Sequence, residues 1–359
     1  MALLSGLRLE RALASPQFRD GRFHNPTGLG PSMSGNTAGI MSDFLFGGRK
    51  RVPQHPLPVI NPVPTLTAQA RTGLRVTWLG HSSMLIESDG FRVLTDPVFG
   101  QHAAPVSFVG RRRFHPVPAS LDELQPIDAV LLSHDHYDHL CTATIGKIAT
   151  LGLPVITSLG VGARLERLGV NPLLITELDW WEQHELAGKE ISITATPAQH
   201  FSGRGLRDRN ATLWSSWVIE TANRKIFFSG DTGLTDELAV IGEREGPFDI
   251  TMLEIGASNP AWAHIHLGPQ NALRAFEMLG GGTLLPIHWG TFDLALHSWE
   301  EPAETLVTLA NNSRIRVVTP MLGQPIEPEL VTGSNPWWRD VATRHKRASA
   351  PRASRRRLR

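Results

Sequence analysis

Ser133-His134-Asp135-His136-Tyr137-Asp138-His139-Leu140 follows directly on the apolar run Ile127-Asp128-Ala129-Val130-Leu131-Leu132. The run reads as a buried β-strand and the polar stretch as the loop at its end. A strand end is rigid enough to aim several side chains at one point. Residues 134–139 hold three imidazoles and two carboxylates, and imidazole nitrogen with carboxylate oxygen suits zinc and other borderline divalent metals. A solvated polar loop is the plain alternative. Matching residues at the ends of other apparent strands argue against it.

Outward from this point the same pattern recurs. Residues 74–79 read as a strand ending at Gly80-His81. Residues 83–87 and 91–95 flank Ser88-Asp89-Gly90, a hairpin turn signal, and the second of them ends at Asp96-Pro97. Residues 143–151 and 161–168 read as helices around a strand at 153–157. A strand at 191–196 ends near His200, and a hairpin of 212–219 with 225–229 ends at Gly230-Asp231-Thr232. A strand at 250–255 follows. A helix over 268–279 has Pro269 in its first turn, and a strand at 283–287 then delivers His288. Many hairpins with helices interspersed predict an α/β fold of two sheets between helical layers, a four-layer αββα sandwich. Residues 1–70, rich in Pro, Gly, Ser and Asn, are expected to form an arm packed on a core of 71–325, with 326–359 as a C-terminal extension.

Composition sets outer limits. The 359 residues are 41% hydrophobic and 19% charged, ample for a large core. Cys141 is the one cysteine, which excludes an intrachain disulfide; a small packed residue is the plain reading for it. Arg8 and Glu10 interrupt the apolar start too early for a signal peptide. No stretch approaches the roughly 20 apolar residues that span a bilayer. A cytoplasmic protein, soluble or peripheral to a membrane, is expected. The net charge of +1 hides an asymmetry: eight of the 35 basic residues fall between Arg344 and Arg359, leaving 27 against 34 acidic residues elsewhere. That tail is expected to be disordered and available to anionic surfaces.

The candidate metal ligands are His134, His136, Asp138, His139, His200, Asp231 and His288. As an ordered set, His134-x-His136-x-Asp138-His139 followed by His200, Asp231 and His288 resembles the metallo-β-lactamase superfamily. Within it the chain is similar to the N-acyl-phosphatidylethanolamine phospholipase D family and its bacterial relatives. The stretches that carry this include Gly21-Arg22-Phe23-His24-Asn25-Pro26, Thr77-Trp78-Leu79-Gly80-His81, Leu94-Thr95-Asp96-Pro97-Val98-Phe99, Pro197-Ala198-Gln199-His200, Ser229-Gly230-Asp231-Thr232-Gly233 and Ile287-His288-Trp289-Gly290-Thr291-Phe292. The resemblance implies two zinc ions, with manganese or iron as substitutes. His134, His136 and His200 would hold one, Asp138, His139 and His288 the other, and Asp231 would bridge them. It implies hydrolysis of a phosphodiester in a phospholipid or smaller substrate. It also implies His266 as a residue that contacts substrate or a moving proton, and Asp96 as an acceptor orienting a ligand or water near the metals. Asp231 is then both ligand and catalytic group.

Several features stay open at this level. His81 reads either as a support for the metal loop or as a core histidine. Tyr137 reads as loop packing or as a hydroxyl near the metals. Trp180-Trp181 and Trp337-Trp338 look exposed beside their polar neighbours; they read as seated in a lipid interface, or equally as packed in the core or between the subunits of a homodimer. Phe201-Ser202-Gly203-Arg204-Gly205-Leu206 differs from the animal enzymes where the end of the substrate should be recognised. The same metal pair would also serve a lactonase or a β-lactamase-like acyl hydrolase. Specific nucleic-acid binding is not expected, because only the tail is basic.

Overall fold

A strand needs its apolar residues on one face and a partner for that face, and this chain supplies two sheets that provide both. The computed structural model describes residues 3–28, 51–104, 110–186, 188, 190–205 and 207–341. The basic tail expected from residue 344 onward lies outside the described residues.

The first sheet contains β1 (Leu74–Gly80), β2 (Ser83–Ser88), β3 (Phe91–Thr95), β4 (Ala129–Leu132), β5 (Val155–Ser158) and β6 (Ile175–Leu178). The second contains β7 (Gln183–Glu185), β8 (Ile191–Thr196), β9 (Ser216–Thr221), β10 (Lys225–Phe228), β11 (Ile250–Glu254) and β12 (Thr283–Ile287). A final strand, β13 (Pro325–Ile326), returns to the first sheet, whose order is β6-β5-β4-β3-β2-β1-β13; the second runs β7 to β12 in sequence order. Strands β3 to β6 are parallel, as are β10 to β12, and the remaining pairs are antiparallel. Asp89 (φ 47°) and Gly90 (φ 88°) make the two-residue turn between β2 and β3, both in the left-handed region that such a hairpin requires.

Pleating sorts the side chains. Met84, Ile86, Val93, Ala129 and Leu131 face inward and share one core with Trp217, Ile219, Phe227 and Met252 of the second sheet. The alternate residues Leu85, Leu94, Val130 and Leu132 face outward and pack with Ile145 and Ile148 of α2 (Thr142–Leu151) and Leu165 of α3 (Gly162–Arg167). Helices α4 (Glu237–Glu245), α5 (Gly268–Met278) and α6 (Glu301–Ser313) supply Ile241, Phe276 and Leu306 to the second sheet's side of the core. The result is the expected αββα sandwich.

The expected positions hold to within a few residues, with three exceptions. The N-terminal stretch contains α1 (Gly6–Ala14), whose Arg8 pairs with Glu177 on β6, the edge strand of the first sheet, and whose Arg11 pairs with Glu182 just ahead of β7, the edge strand of the second. The edge strands β6 and β7 are short and half-exposed, so their apolar pattern is faint. The tryptophan pairs are not exposed. Trp337 and Trp338 are 5% and 1% accessible, clustered with Trp289, and the Trp338 indole donates to Glu304. Trp180 is buried with its indole donating to the Trp214 carbonyl, and Trp181 lies beneath the Arg244 guanidinium. The size of the rings outweighs their polar neighbours: Trp180, Trp337 and Trp338 are buried, and Trp181 packs half-buried against the core. Among the described residues no helix is long and apolar enough to cross a membrane.

Candidate metal centre

Parallel strands in each sheet release their C-terminal ends on one side of the sandwich, and the polar residues gather there. β4 ends at Leu132 and leads into the His134 loop; β10 ends at Phe228, just ahead of Asp231; β12 ends at Ile287, just ahead of His288. β8 ends at Thr196 and leads to His200, β1 leads to His81 and β3 to Asp96. Asp96, His81 and His288 have positive φ angles of 33°, 54° and 63°. Bulky residues adopt that region only where their surroundings enforce it, commonly at functional sites.

All seven candidate ligands converge. Nε2 of His134 lies 2.8 Å from Nδ1 of His136, and Nε2 of His200 lies 3.3 Å from that same atom. Nitrogens bound tetrahedrally to one zinc stand about 3.3 Å apart. Beside this triad, Nε2 of His139 and of His288 each lie 3.2 Å from Asp231, and Oδ2 of Asp138 lies 3.5 Å from His288 Nε2. Asp231 reaches the first triad as well, with Oδ2 3.7 Å from His200 Nε2. It is thus placed between the two groups.

Electrostatics fit cations here. Burial holds His134 and His200 well below the usual imidazole range, so both present neutral nitrogens. Burial would also push His139 and His288 down. Asp231 and Asp138 outweigh it, carrying His139 well above the usual value and His288 to about 10. The carboxylates therefore demand positive charge at this spot. His139 Nε2, His288 Nε2 and Asp231 Oδ1 are buried without a hydrogen-bond partner, a costly arrangement that divalent ions would resolve.

A supporting layer fixes these groups. Asp96, fully buried, accepts from Nδ1 of His139 at 2.7 Å, from the Ser133 amide at 2.7 Å and from the Ser133 hydroxyl at 2.6 Å. Nδ1 of His200 is held by the Ile265 carbonyl at 2.9 Å. His81 belongs to the site: its Nε2 lies 3.1 Å from Asp138, its amide donates to Thr291, and its carbonyl accepts from the His288 amide. Tyr137 is packing, with its hydroxyl donating to the Arg204 carbonyl and its ring under the Arg204 guanidinium. Arg204 in turn donates to the carbonyls of Asp135, within the ligand loop, and Leu140, at its end. The segment after His200 is thereby bound inward onto the metal loop. Cys141 is buried against Val98 and Phe292, as expected of a packed residue.

His266 stands next to the cluster, its ring 5.1 Å from His200 and 5.5 Å from His288. Its Nδ1 lies 2.6 Å from Oε2 of Glu254, whose Oε1 accepts the amides of Thr232 and Leu267. Sequence reasoning missed Glu254. The signal was present: a lone carboxylate at the C-terminal end of the apolar strand 250–255, where the other strands carry site residues. Glu254 raises the His266 imidazole above its usual value against the opposing effect of burial.

Fold and cluster together define the class, a metal-dependent hydrolase. Residues 91–289 match the family model of the beta-lactamase superfamily domain, and the chain belongs to that superfamily. It is 37% identical over 263 residues to N-acyl-phosphatidylethanolamine-hydrolyzing phospholipase D 1 of Caenorhabditis elegans, covering 69% of this chain and 74% of the worm protein. It is 41% identical over 333 residues to an uncharacterized protein of Mycobacterium tuberculosis, covering 90% and 88%. Among solved structures, an isothiocyanate hydrolase from Delia radicum gut bacteria is similar in fold, with a TM-score of 0.57 at 21% identity over 70% of this chain and 98% of that one.

Proposed function

We propose that the chain is a dinuclear-metal phosphodiesterase of phospholipase D type. Water would cleave an N-acyl-phosphatidylethanolamine-like lipid at phosphorus, giving phosphatidic acid and an N-acylethanolamine. The observation that carries the reading is the convergence of seven candidate ligand side chains, with Asp231 between the two groups, in a chain 37% identical to an enzyme named for that hydrolysis.

His134, His136 and His200 would hold one cation, Asp138, His139 and His288 the second, and Asp231 would touch both. Two bound divalent cations supply Lewis acidity toward phosphoryl oxygens and an activated water at neutral pH. Zinc suits the imidazole-rich triad; the set with more oxygen also accepts manganese or iron. Asp96 holds His139 by Nδ1, which leaves Nε2 as the nitrogen that would take a cation. Glu254 engages Nδ1 of His266, so Nε2 is the nitrogen that can hand a proton to the departing alkoxide. That proton matters because an unprotonated alkoxide is a poor leaving group.

The test is incubation of purified, zinc-loaded protein with N-acyl-phosphatidylethanolamine vesicles and bis-p-nitrophenyl phosphate, beside lactones and β-lactams. Phosphatidic acid and p-nitrophenol are the expected products. Hydrolysis of the lactones or β-lactams with no phosphodiester turned over would replace this reading with that of an acyl hydrolase.

A further inference from the structure

His200 sits four residues past the end of β8, in irregular backbone, where no sheet partner takes up its peptide groups. Buried amides and carbonyls need partners all the same. Here one side chain serves both. Asn25, 175 positions earlier, accepts the His200 amide on Oδ1 at 3.0 Å and donates from Nδ2 to the His200 carbonyl at 2.8 Å. The same Oδ1 accepts from the Trp214 indole at 3.1 Å, and Trp214 also donates to the Ala198 carbonyl at 3.0 Å. Asn25 is 4% accessible and Trp214 1%.

The segment carrying Asn25 has its own anchors. Phe23 is fully buried with Trp214 and Ala198, its amide donates to the Asn210 carbonyl, and its carbonyl accepts from Nδ2 of Asn210. Asn25 is therefore a fixed point against which His200 is set. With the ring tied by Ile265 at Nδ1 and the peptide tied by Asn25, His200 keeps little freedom other than to present Nε2 toward His136.

We infer that Asn25 is a positioning residue of the metal centre: it clamps both peptide groups of His200 and so pre-sets the first triad for its cation. The inference rests on the assignment of His200 as a ligand in the proposed function. It makes the N-terminal arm a working part of the site. A plain packing role would couple Asn25 to stability alone.

The experiment compares Asn25→Ala, Asn25→Asp and His200→Ala with the wild type. Asn25→Asp keeps an acceptor for the His200 amide and the Trp214 indole but sets an oxygen against the His200 carbonyl. Three quantities are read: zinc bound per chain after dialysis, zinc affinity by chelator competition, and melting temperature of the metal-free protein. For both Asn25 variants the expected result is a tenfold to hundredfold loss of zinc affinity at one of two sites, the scale seen when partners of metal ligands are removed. KM for bis-p-nitrophenyl phosphate should be unchanged, and kcat should be restored by excess zinc. A lower melting temperature of the metal-free protein with wild-type zinc affinity would overturn the inference, and so would wild-type values throughout. Loss of zinc in His200→Ala but not in the Asn25 variants would refute the clamp alone. No loss in His200→Ala would refute the ligand assignment itself.

Discussion

Oδ2 of Asp96 accepts from Nδ1 of His139 at 2.7 Å, while Oδ1 of the same carboxylate accepts the amide of Ser133, the residue that opens the ligand loop. One buried group thus sets both the start of the loop and the orientation of a ring within it. Asp96→Asn removes the charge and one acceptor together. The expected outcome is zinc bound about tenfold to a hundredfold more weakly, with kcat falling in limiting zinc. Competition with a chromophoric chelator measures it.

Asp231 approaches His139, His200 and His288 within 3.2, 3.7 and 3.2 Å, so it belongs to both halves of the cluster. Asp231→Ala should abolish turnover and lower the metal content, and His136→Ala should do the same through the first triad. Elemental analysis beside the phosphodiesterase assay checks both. Wild-type turnover in either variant would refute the site.

Glu254 and His266 form a pair whose loss should spare the metals. His266→Ala is expected to lower kcat about a hundredfold, the scale of one positioned proton donor, with two metals still bound. Glu254→Gln should cost somewhat less, and the double variant little more than His266→Ala alone, because the two residues act as a unit. A double-mutant cycle on kcat, with metal stoichiometry measured for each variant, tests this. Loss of metal in His266→Ala would mean that His266 is itself a ligand.

The convergence of the candidate ligands was legible in the sequence because each sits just past an apolar run, and strand ends are the positions at which a sheet can aim side chains. The turn signal Ser88-Asp89-Gly90 likewise marked the hairpin of β2 and β3. Other features left a fainter trace or none. Glu254 is the last residue of its strand rather than a residue beyond it, so it looks like an interruption of the apolar pattern. The partnership of Asn25 with His200 links residues 175 apart through backbone groups, which carry no residue-type signal. Trp337 and Trp338 stand among polar neighbours, and local composition misled where three-dimensional packing decides. The positive φ of His81 and His288 falls on residue types that do not advertise it.

Gly256 follows the strand that carries Glu254 and touches the backbone of His288. A Cβ at this position would lie 1.9 Å from the His288 carbonyl oxygen, a backbone atom that cannot swing aside. Gly256→Ala should therefore move His288 as well as strain the fold. The expected cost is about 3 kcal/mol or more, with loss of the metal held by His288. Thermal unfolding and metal analysis of the same preparation measure the two effects.

His115 offers a pH test away from the ligands. It is buried with Nδ1 near the Pro116 carbonyl at 2.8 Å and Nε2 3.2 Å from the Thr291 hydroxyl. Burial, with the Arg113 guanidinium nearby, pushes its pKa down from 6.5 to about 3. Between those values the unfolded chain binds a proton that the folded chain refuses, so stability falls as pH drops from 6.5 toward 3. Complete passage through that window corresponds to a loss of roughly 5 kcal/mol from this one group. His115→Asn can keep a hydrogen bond to Thr291 but has nothing to protonate. The variant should be the less stable protein at pH 7.5, and the gap should narrow or reverse by pH 4.5. Urea denaturation of both proteins across that range gives the difference directly, in which the titrations they share cancel. A gap that stays constant with pH would show that His115 takes up its proton as readily in the fold as in the unfolded chain.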